Sequence, residues 1–143
     1  MTIFQDPGIG GYHSLDELVK YRVERSDLAL IEARDSIIKG NNITAVNRLY
    51  YSCFYIINAL FAKRQLYAKS HSGIKTLFNE KFVKTGIINS SYSSIYNELF
   101  NKRMKGDYED FIEFSRMEVE YFLTPAEEFI NEIKTILVSS NEK

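Results

Sequence analysis

The stretch AVNRLYYSCFYIINALFA, residues 45–62, constrains the fold more than any other part of the sequence. Its apolar side chains recur every three or four residues, which is the spacing of an α-helix, and they cover nearly the whole circumference. A helix of this kind is buried among other helices. We therefore predict a central helix from about residue 43 to residue 63, or as far as 67. Its main apolar stripe is formed by Val46, Leu49, Cys53, Ile57 and Leu60.

Four further segments show helical periodicity, and none shows the alternation of a β-strand. We predict these helices at about 14–40, 70–83, 90–105 and from 111 or 115 to 138. The expected fold is all-α, an up-and-down helical bundle of about five helices. The predicted organisation is an irregular N-terminal arm over 1–13, a helical domain over 14–138 and a C-terminal tail over 139–143.

Several residues predict where these helices begin, end or bend. Ser14 and Glu17 have the spacing of a capping box at a helix start. Gly40 suits the left-handed position that follows a helix, and Gly106 marks the predicted end of the fourth helix. Pro125 lies inside the last helix, where it removes a backbone donor and crowds the previous turn. We expect a kink or break just before it, near residues 122–124.

Composition excludes some classes of protein. One cysteine, Cys53, rules out an intramolecular disulfide framework. The chain has no signal-peptide pattern at its start and no apolar stretch near the ~20 residues that span a bilayer. We expect a cytoplasmic protein without membrane association.

The charges are unevenly distributed although the net charge is only -1. Residues 63–105 contain nine basic and two acidic side chains, whereas residues 106–132 contain nine acidic side chains and one basic. Such a split produces opposed surface potentials if the two segments lie on different faces. It is equally consistent with two ordinary solvated helix faces.

Metal or cofactor chemistry is not indicated. The two histidines and the cysteine lack partners at metal-ligand spacing, and no glycine-rich phosphate loop follows a strand. His71 lies between Ser70 and Ser72 at a predicted helix start. Neighbours in a helix point apart, so capping by serine is favoured over a serine–histidine nucleophile pair. We expect no metal and no cofactor.

Two arginines allow both a structural and a functional interpretation. Arg48 lies on the otherwise apolar central helix, one turn before Tyr51, and a guanidinium there needs a carboxylate such as Asp107. Alternatively, Arg48 contacts a phosphate beside stacked tyrosines. Arg103 and Asp107 are four residues apart and would pair if the helix continued through Gly106. Lys102, Arg103 and Lys105 would also complement a helix C-terminus.

Three motifs precede a long acidic and apolar helix: AVNRLYYSCFYIINALF, KSHSGIKTLFNEKFVKTG and IYNELFNKRMKGDYEDF. Taken together, they resemble the HEPN domain, in particular its short stand-alone prokaryotic members. The resemblance extends from about residue 14 to residue 136. It implies a helical bundle that forms homodimers. Many members pair with a minimal nucleotidyltransferase in toxin–antitoxin systems, and active members are metal-independent ribonucleases.

The ribonuclease motif of that family is an arginine, usually followed by a polar residue, and a histidine after four to six intervening residues. By resemblance the arginine is Arg103, while Met104 stands at the polar position and Tyr108 at the histidine position. A phenol with a pKa near ~10 is a poor proton acceptor at neutral pH. Arg103 can still bind phosphate and Tyr108 can still stack on a base.

The sequence leaves three functional hypotheses. The first is a HEPN protein that binds RNA or a nucleotide, partners a nucleotidyltransferase in a toxin–antitoxin pair and has no ribonuclease activity. The second is a ribonuclease in which Arg103 acts electrostatically and Tyr108 or His71 transfers a proton. The third is a structural interaction module without a ligand. The predicted binding residues are Arg48, Tyr51, His71, Lys102 and Asp107, beside the degenerate catalytic pair Arg103 and Tyr108.

Overall fold

A computed structural model describes residues 3–5 and 12–139 of the chain. Five α-helices dominate it, so the prediction of an all-α bundle is confirmed. The helices are α1 (Leu15–Ile38), α2 (Asn42–Arg64), α3 (His71–Phe78), α4 (Ser90–Tyr108) and α5 (Arg116–Ser139). A π-helical segment, Asn79–Val83, continues α3. No helix within the described residues is long and apolar enough to cross a membrane.

The helix α2 is the centre of the bundle. It packs against α1 most extensively and also against α4 and α5. All five residues of the predicted stripe are buried, as are Tyr50, Ile56 and Phe61 on other sides of the same helix. Burial on several sides is what an apolar circumference requires. The prediction of a central helix is therefore confirmed.

The predicted start of α1 and the turn after it are confirmed. The Ser14 hydroxyl accepts a hydrogen bond from the Glu17 backbone N–H at 3.1 Å, as an N-cap does. After α1, Gly40 has a φ of +76°, a left-handed conformation that costs other L-residues about 1–2 kcal/mol. These short-range signals depend only on neighbouring residues, which is why the sequence reveals them.

Part of the N-terminal arm is regular rather than irregular. The strands β1 (Ile3–Gln5) and β2 (Tyr12–Ser14) pair antiparallel, with Ile3 opposite Ser14 and Gln5 opposite Tyr12. Strands of three residues are too short for alternation to be recognised in the sequence. The rest of the predicted arm, and residues 140–143 of the predicted tail, lie outside the described residues.

The predicted end of the fourth helix at Gly106 is wrong, because α4 continues to Tyr108. A Cβ added at Gly106 would lie 3.3 Å from Phe114 Cε2 and 3.5 Å from Ile43 Cγ2. The glycine therefore serves close packing between α4, the start of α2 and the segment before α5. Tertiary contact supports a helix that the propensity of glycine alone would weaken.

A break at Pro125 is also not found, because α5 continues through it. Phe122 and Ala126 on either side are buried, as is Phe129 in the next turn. A proline inside a helix costs about 3 kcal/mol, and burial of large side chains offsets a penalty of that size. Packing on the core therefore keeps α5 in one piece.

Candidate functional site

Arg103 is a buried cation in an aromatic environment. Only 8% of it is exposed, on the side of α4 that faces α2. The guanidinium carbon lies 4.8 Å from the ring centre of Tyr50 and 5.7 Å from that of Tyr51, within the range of cation–π attraction. Nη1 donates to Asp107 Oδ2 at 3.2 Å and to the Tyr51 hydroxyl at 3.4 Å. We call the group of Arg103, Tyr50, Tyr51, Asp107 and His71 the Arg103 cluster.

His71 joins this cluster from the first position of α3. Its ring stacks on Phe54 with the centres 4.4 Å apart and the planes 11° from parallel. Nδ1 lies 2.7 Å from the Tyr50 hydroxyl. Burial lowers the pKa of His71 below its ordinary value, and the nearby charge of Arg103 lowers it further. The imidazole is therefore neutral at pH 7.

The hydrogen-bond donors of the Arg103 guanidinium are incompletely satisfied. Among the described residues, its buried Nε has no hydrogen-bond partner. Nη2 contacts the Met104 sulfur at 3.1 Å, and a thioether is a weak acceptor. A buried cation usually has strong acceptors for most of its donors. Arg103 is thus held in place by rings and one carboxylate, and part of its donor capacity is unused.

The hydroxyl groups of Tyr50 and Tyr96 favour one tautomer of His71. The two hydroxyls lie 3.3 Å apart, and both side chains are fully buried. Burial raises the pKa of Tyr50 to about 12 and that of Tyr96 further, so both phenols keep their protons. Every donor has an acceptor if Tyr96 donates to Tyr50 and Tyr50 donates to Nδ1 of His71. The proton of the neutral imidazole then resides on Nε2.

The structure brings together four of the predicted site residues. Arg103 pairs with Asp107 because α4 continues through Gly106, and Tyr51 and His71 contact the same cluster. The sequence did not predict the proximity of His71 and Arg103, which are 32 positions apart and lie on different helices. Only the packing of α3 and α4 beside α2 joins them.

The other predicted residues lie elsewhere. The predicted pair of Arg48 with Asp107 is not formed. Arg48 pairs instead with Glu32 of α1 at 3.2 Å, because α1 packs along α2. Its guanidinium carbon lies 5.2 Å from the Tyr51 ring centre, so it borders the cluster. Lys102 is directed away from the cluster, donating to Glu118 of α5 at 2.7 Å.

Tyr108, at the position of the motif histidine, is the last residue of α4 and is 75% exposed. It makes no hydrogen bond or ring contact with the Arg103 cluster within the part of the chain that the structure describes. Sequence reasoning missed Tyr50, Phe54 and Tyr96 as site residues and treated the first two as core. For the two tyrosines the available signal was a hydroxyl on a ring that packs in the core, since such a group needs a partner.

No metal site is evident in the described residues. They contain no group of three or more His, Cys, Asp or Glu side chains that could hold a metal ion. The cluster instead offers a guanidinium, a neutral imidazole and phenol hydroxyls. These groups bind anions and planar rings.

Comparison with known proteins identifies relatives across most of the chain. The HEPN domain matches residues 19–136. A UPF0332 protein of Thermotoga maritima is 33% identical over 85% of this chain and 92% of its own length. A Methanocaldococcus jannaschii protein named "Putative toxin MJ0142" is 37% identical over 87% of this chain and 90% of its own. A second protein of that organism, named "Putative toxin MJ0605", is 34% identical over 65% of this chain and 69% of its own.

The family match covers both the central helix and the Arg103 cluster, and the helical bundle agrees with it. The chain therefore belongs to the HEPN domain family.

Proposed function

We propose that the protein is a toxin–antitoxin-type HEPN protein that binds a nucleotide or nucleic acid, and that it lacks ribonuclease activity. It acts in the cytoplasm as a homodimer and partners a nucleotidyltransferase. The observation that carries the binding function is the Arg103 guanidinium, buried against two tyrosine rings with unused donor capacity. The toxin names of two relatives support the proposed biological class.

The chemistry of the Arg103 cluster suits binding. A guanidinium binds phosphate oxygens through parallel N–H donors, and its rigid placement reduces the entropy lost on binding. His71, whose pKa is lowered by burial and by the charge of Arg103, adds an N–H donor at Nε2 within the same cluster. A phosphate held by Arg103 would therefore find a second donor close by, and aromatic rings for a base.

The same chemistry is unfavourable for RNA cleavage. A general base needs a free lone pair and a pKa near the working pH. In the tautomer that satisfies every donor of the cluster, the Nδ1 lone pair of His71 accepts from Tyr50 and Nε2 carries the proton. Tyr108, the residue at the motif position, is a phenol exposed on the far end of α4.

A second candidate function is a metal-independent ribonuclease in which His71 replaces the motif histidine. One observation favours it: His71 and Arg103 belong to one cluster, since both contact Tyr50. Catalysis would require the opposite tautomer, with Nδ1–H donating to Tyr50 and the Nε2 lone pair free to accept the proton of a 2′-hydroxyl. Tyr96 would then lack an acceptor for its hydroxyl proton among the described residues.

Both candidates are tested with a fluorescently labelled single-stranded RNA, by anisotropy for binding and gel electrophoresis for cleavage. We expect wild type to bind without cutting, and Arg103→Met to weaken binding about 10- to 100-fold, the loss of charge-assisted hydrogen bonds. Arg34→Met is the matched control, because Arg34 pairs with Glu127 between α1 and α5. Unchanged binding by Arg103→Met contradicts the proposal. Cleavage that both Arg103→Met and His71→Gln abolish establishes the ribonuclease.

The proposed assembly needs separate measurements. Analytical ultracentrifugation of the purified chain should give the mass of a homodimer. Co-expression with a nucleotidyltransferase encoded beside it should yield a complex that survives gel filtration. A monomer, or separate elution of the two proteins, contradicts those parts of the proposal.

A further inference from the structure

Two tyrosines lie one turn apart on α2 and form an aromatic step at the surface. Tyr51 and Tyr55 are both partly exposed, although the helix that carries them is otherwise largely buried. Their ring centres are 5.7 Å apart and their planes are inclined by 37°. Residues four apart lie on the same face of a helix, so the step follows directly from their spacing.

A guanidinium lies over each of these rings. The carbon of Arg48 is 5.2 Å from the Tyr51 centre, and that of Arg25 is 4.5 Å from the Tyr55 centre. Arg25 also donates to the Tyr55 hydroxyl at 2.6 Å and to the Tyr21 hydroxyl at 2.8 Å. These bonds hold the long arginine side chain against the rings.

The aromatic step is continuous with the Arg103 cluster. The Tyr51 hydroxyl accepts from Arg103, and its ring meets the edge of His71 with the centres 5.8 Å apart. A continuous row of groups therefore begins at the cation of Arg103, crosses the rings of Tyr51 and Tyr55 on α2, and ends at the cation of Arg25. We call this row the α2 ridge.

Its composition matches the surfaces that bind single strands. Such sites combine cations that follow the backbone with aromatic rings on which successive bases stack. Bases of a duplex are already stacked on each other and do not offer their faces. An apolar peptide would gain little from two guanidiniums, whereas a mononucleotide would occupy only one end of the ridge.

We propose that the α2 ridge binds a single-stranded nucleic acid of at least two nucleotides. One backbone phosphate lies at Arg103, successive bases stack on the faces of Tyr51 and Tyr55 opposite their arginines, and a further phosphate lies at Arg25. This inference rests on the proposed binding function of Arg103 and specifies its ligand as a strand. Aromatic rings and cations can bind RNA strands and DNA strands, so the test includes both kinds of strand.

The test compares AMP with unstructured RNA and DNA strands of about ten nucleotides, the size range of single-strand sites. Tyr55→Leu should weaken binding of at least one of the two strands about 5- to 100-fold, the effect of losing one stacked base, and leave AMP binding unchanged. Tyr55→Phe retains the ring and should bind almost as wild type. The control is Tyr121→Leu, an exposed tyrosine on α5.

Arg25→Gln tests the second phosphate contact. It should weaken strand binding and reduce the slope of log affinity against log salt by about 0.7, the value for one phosphate of a single strand. Arg34→Gln makes the same change of charge elsewhere on α1 and should leave the affinity and the slope as in wild type. Thermal melting of each variant confirms that it is folded.

The two proposals fail in different ways. If Arg103→Met weakens binding while Tyr55→Leu and Arg25→Gln match their controls, the α2 ridge is refuted and the Arg103 site stands. If Tyr55→Leu instead shifts the monomer–dimer equilibrium without changing strand affinity, the ridge is a protein interface and the inference is wrong. If neither AMP nor a strand binds, both proposals fail.

Discussion

The hydroxyl of Tyr50 lies 2.7 Å from Nδ1 of His71 and joins the buried core of the bundle to its candidate site. Tyr50 is fully buried on α2, whereas His71 is only partly buried at the start of α3. A hydrogen bond donated by Tyr50 through this contact would leave the imidazole proton on Nε2.

Acidification should destabilise the protein partly through His71. Its pKa is lower in the folded state than in the unfolded chain, so the unfolded state binds more protons just below about pH 6.5. The free energy of unfolding therefore falls as the pH drops through this range. Urea denaturation between about pH 7.5 and pH 5.5 should show a smaller fall for His71→Asn than for wild type. Equal falls would refute this role of His71.

Removal of the Arg103 charge should raise the pKa of His71. Burial is the larger cause of its low pKa, so Arg103→Met should return it only partly toward the ordinary value. NMR titration of the imidazole Cε1–H signal measures this directly. The chain has one other histidine, His13, and a His13→Gln variant assigns the two signals. Arg34→Met should leave the His71 titration unchanged, and an equal shift in that control would exclude a local effect.

The Tyr50 hydroxyl should contribute more to stability than the Tyr96 hydroxyl. Tyr50→Phe leaves a buried Tyr96 O–H without its acceptor and should cost about 1–3 kcal/mol. Tyr96→Phe removes one donor only and should cost about 0.5–1.5 kcal/mol. A double-mutant cycle by chemical denaturation should show coupling between the two changes. Purely additive effects would mean that the two hydroxyls do not interact.

The tautomer of His71 should depend on Tyr50. In wild type, ¹⁵N chemical shifts of the imidazole should report a protonated Nε2 and a bare, hydrogen-bonded Nδ1. In Tyr50→Phe the donor to Nδ1 is absent, so the shifts should move toward a mixture of both tautomers. A wild-type spectrum with the proton on Nδ1 would contradict this assignment and would favour the ribonuclease.

A side chain larger than a methyl group at Gly106 should disrupt the approach of α4 to its neighbours. A Cβ there already lies 3.3 Å from Phe114, so Gly106→Val should overpack the contact and cost about 1–3 kcal/mol. Gly106→Ala should gain little, because the crowding offsets the higher helix propensity of alanine. Asn101→Val, at an exposed position of α4, controls for the propensity of valine. Equal losses in the two valine variants would contradict the packing role.

Helix positions were largely predictable because their signals are local. The Ser14 cap, the left-handed Gly40 and the apolar circumference of α2 depend on residues within a few positions of one another. Where a local signal competes with packing, the predicted helix end at Gly106 and the predicted break at Pro125 were wrong. Gly106 and Pro125 normally end helices, yet contacts with distant residues maintain α4 and α5 through them.

The candidate site was predictable only in part. Sequence resemblance identified Arg103, and its spacing to Asp107 allowed the ion pair that the structure confirms. The partner of Arg48 was predicted wrongly, because Glu32 reaches it only through the packing of α1 on α2. The role of Tyr108 in the site stays a prediction.

The sequence by itself determined an all-α HEPN bundle, a central α2 and an arginine at the motif position, since periodicity and motif spacing are properties of a linear chain. Only the tertiary structure decided that His71 and Arg103 share one cluster and that the Tyr50 hydroxyl contacts Nδ1 of His71. The physical reason is that α3 and α4 contribute to the site from separate segments, and only their packing on α2 sets the distance between these groups. Burial of the imidazole, and then the charge of Arg103, lower the pKa of His71.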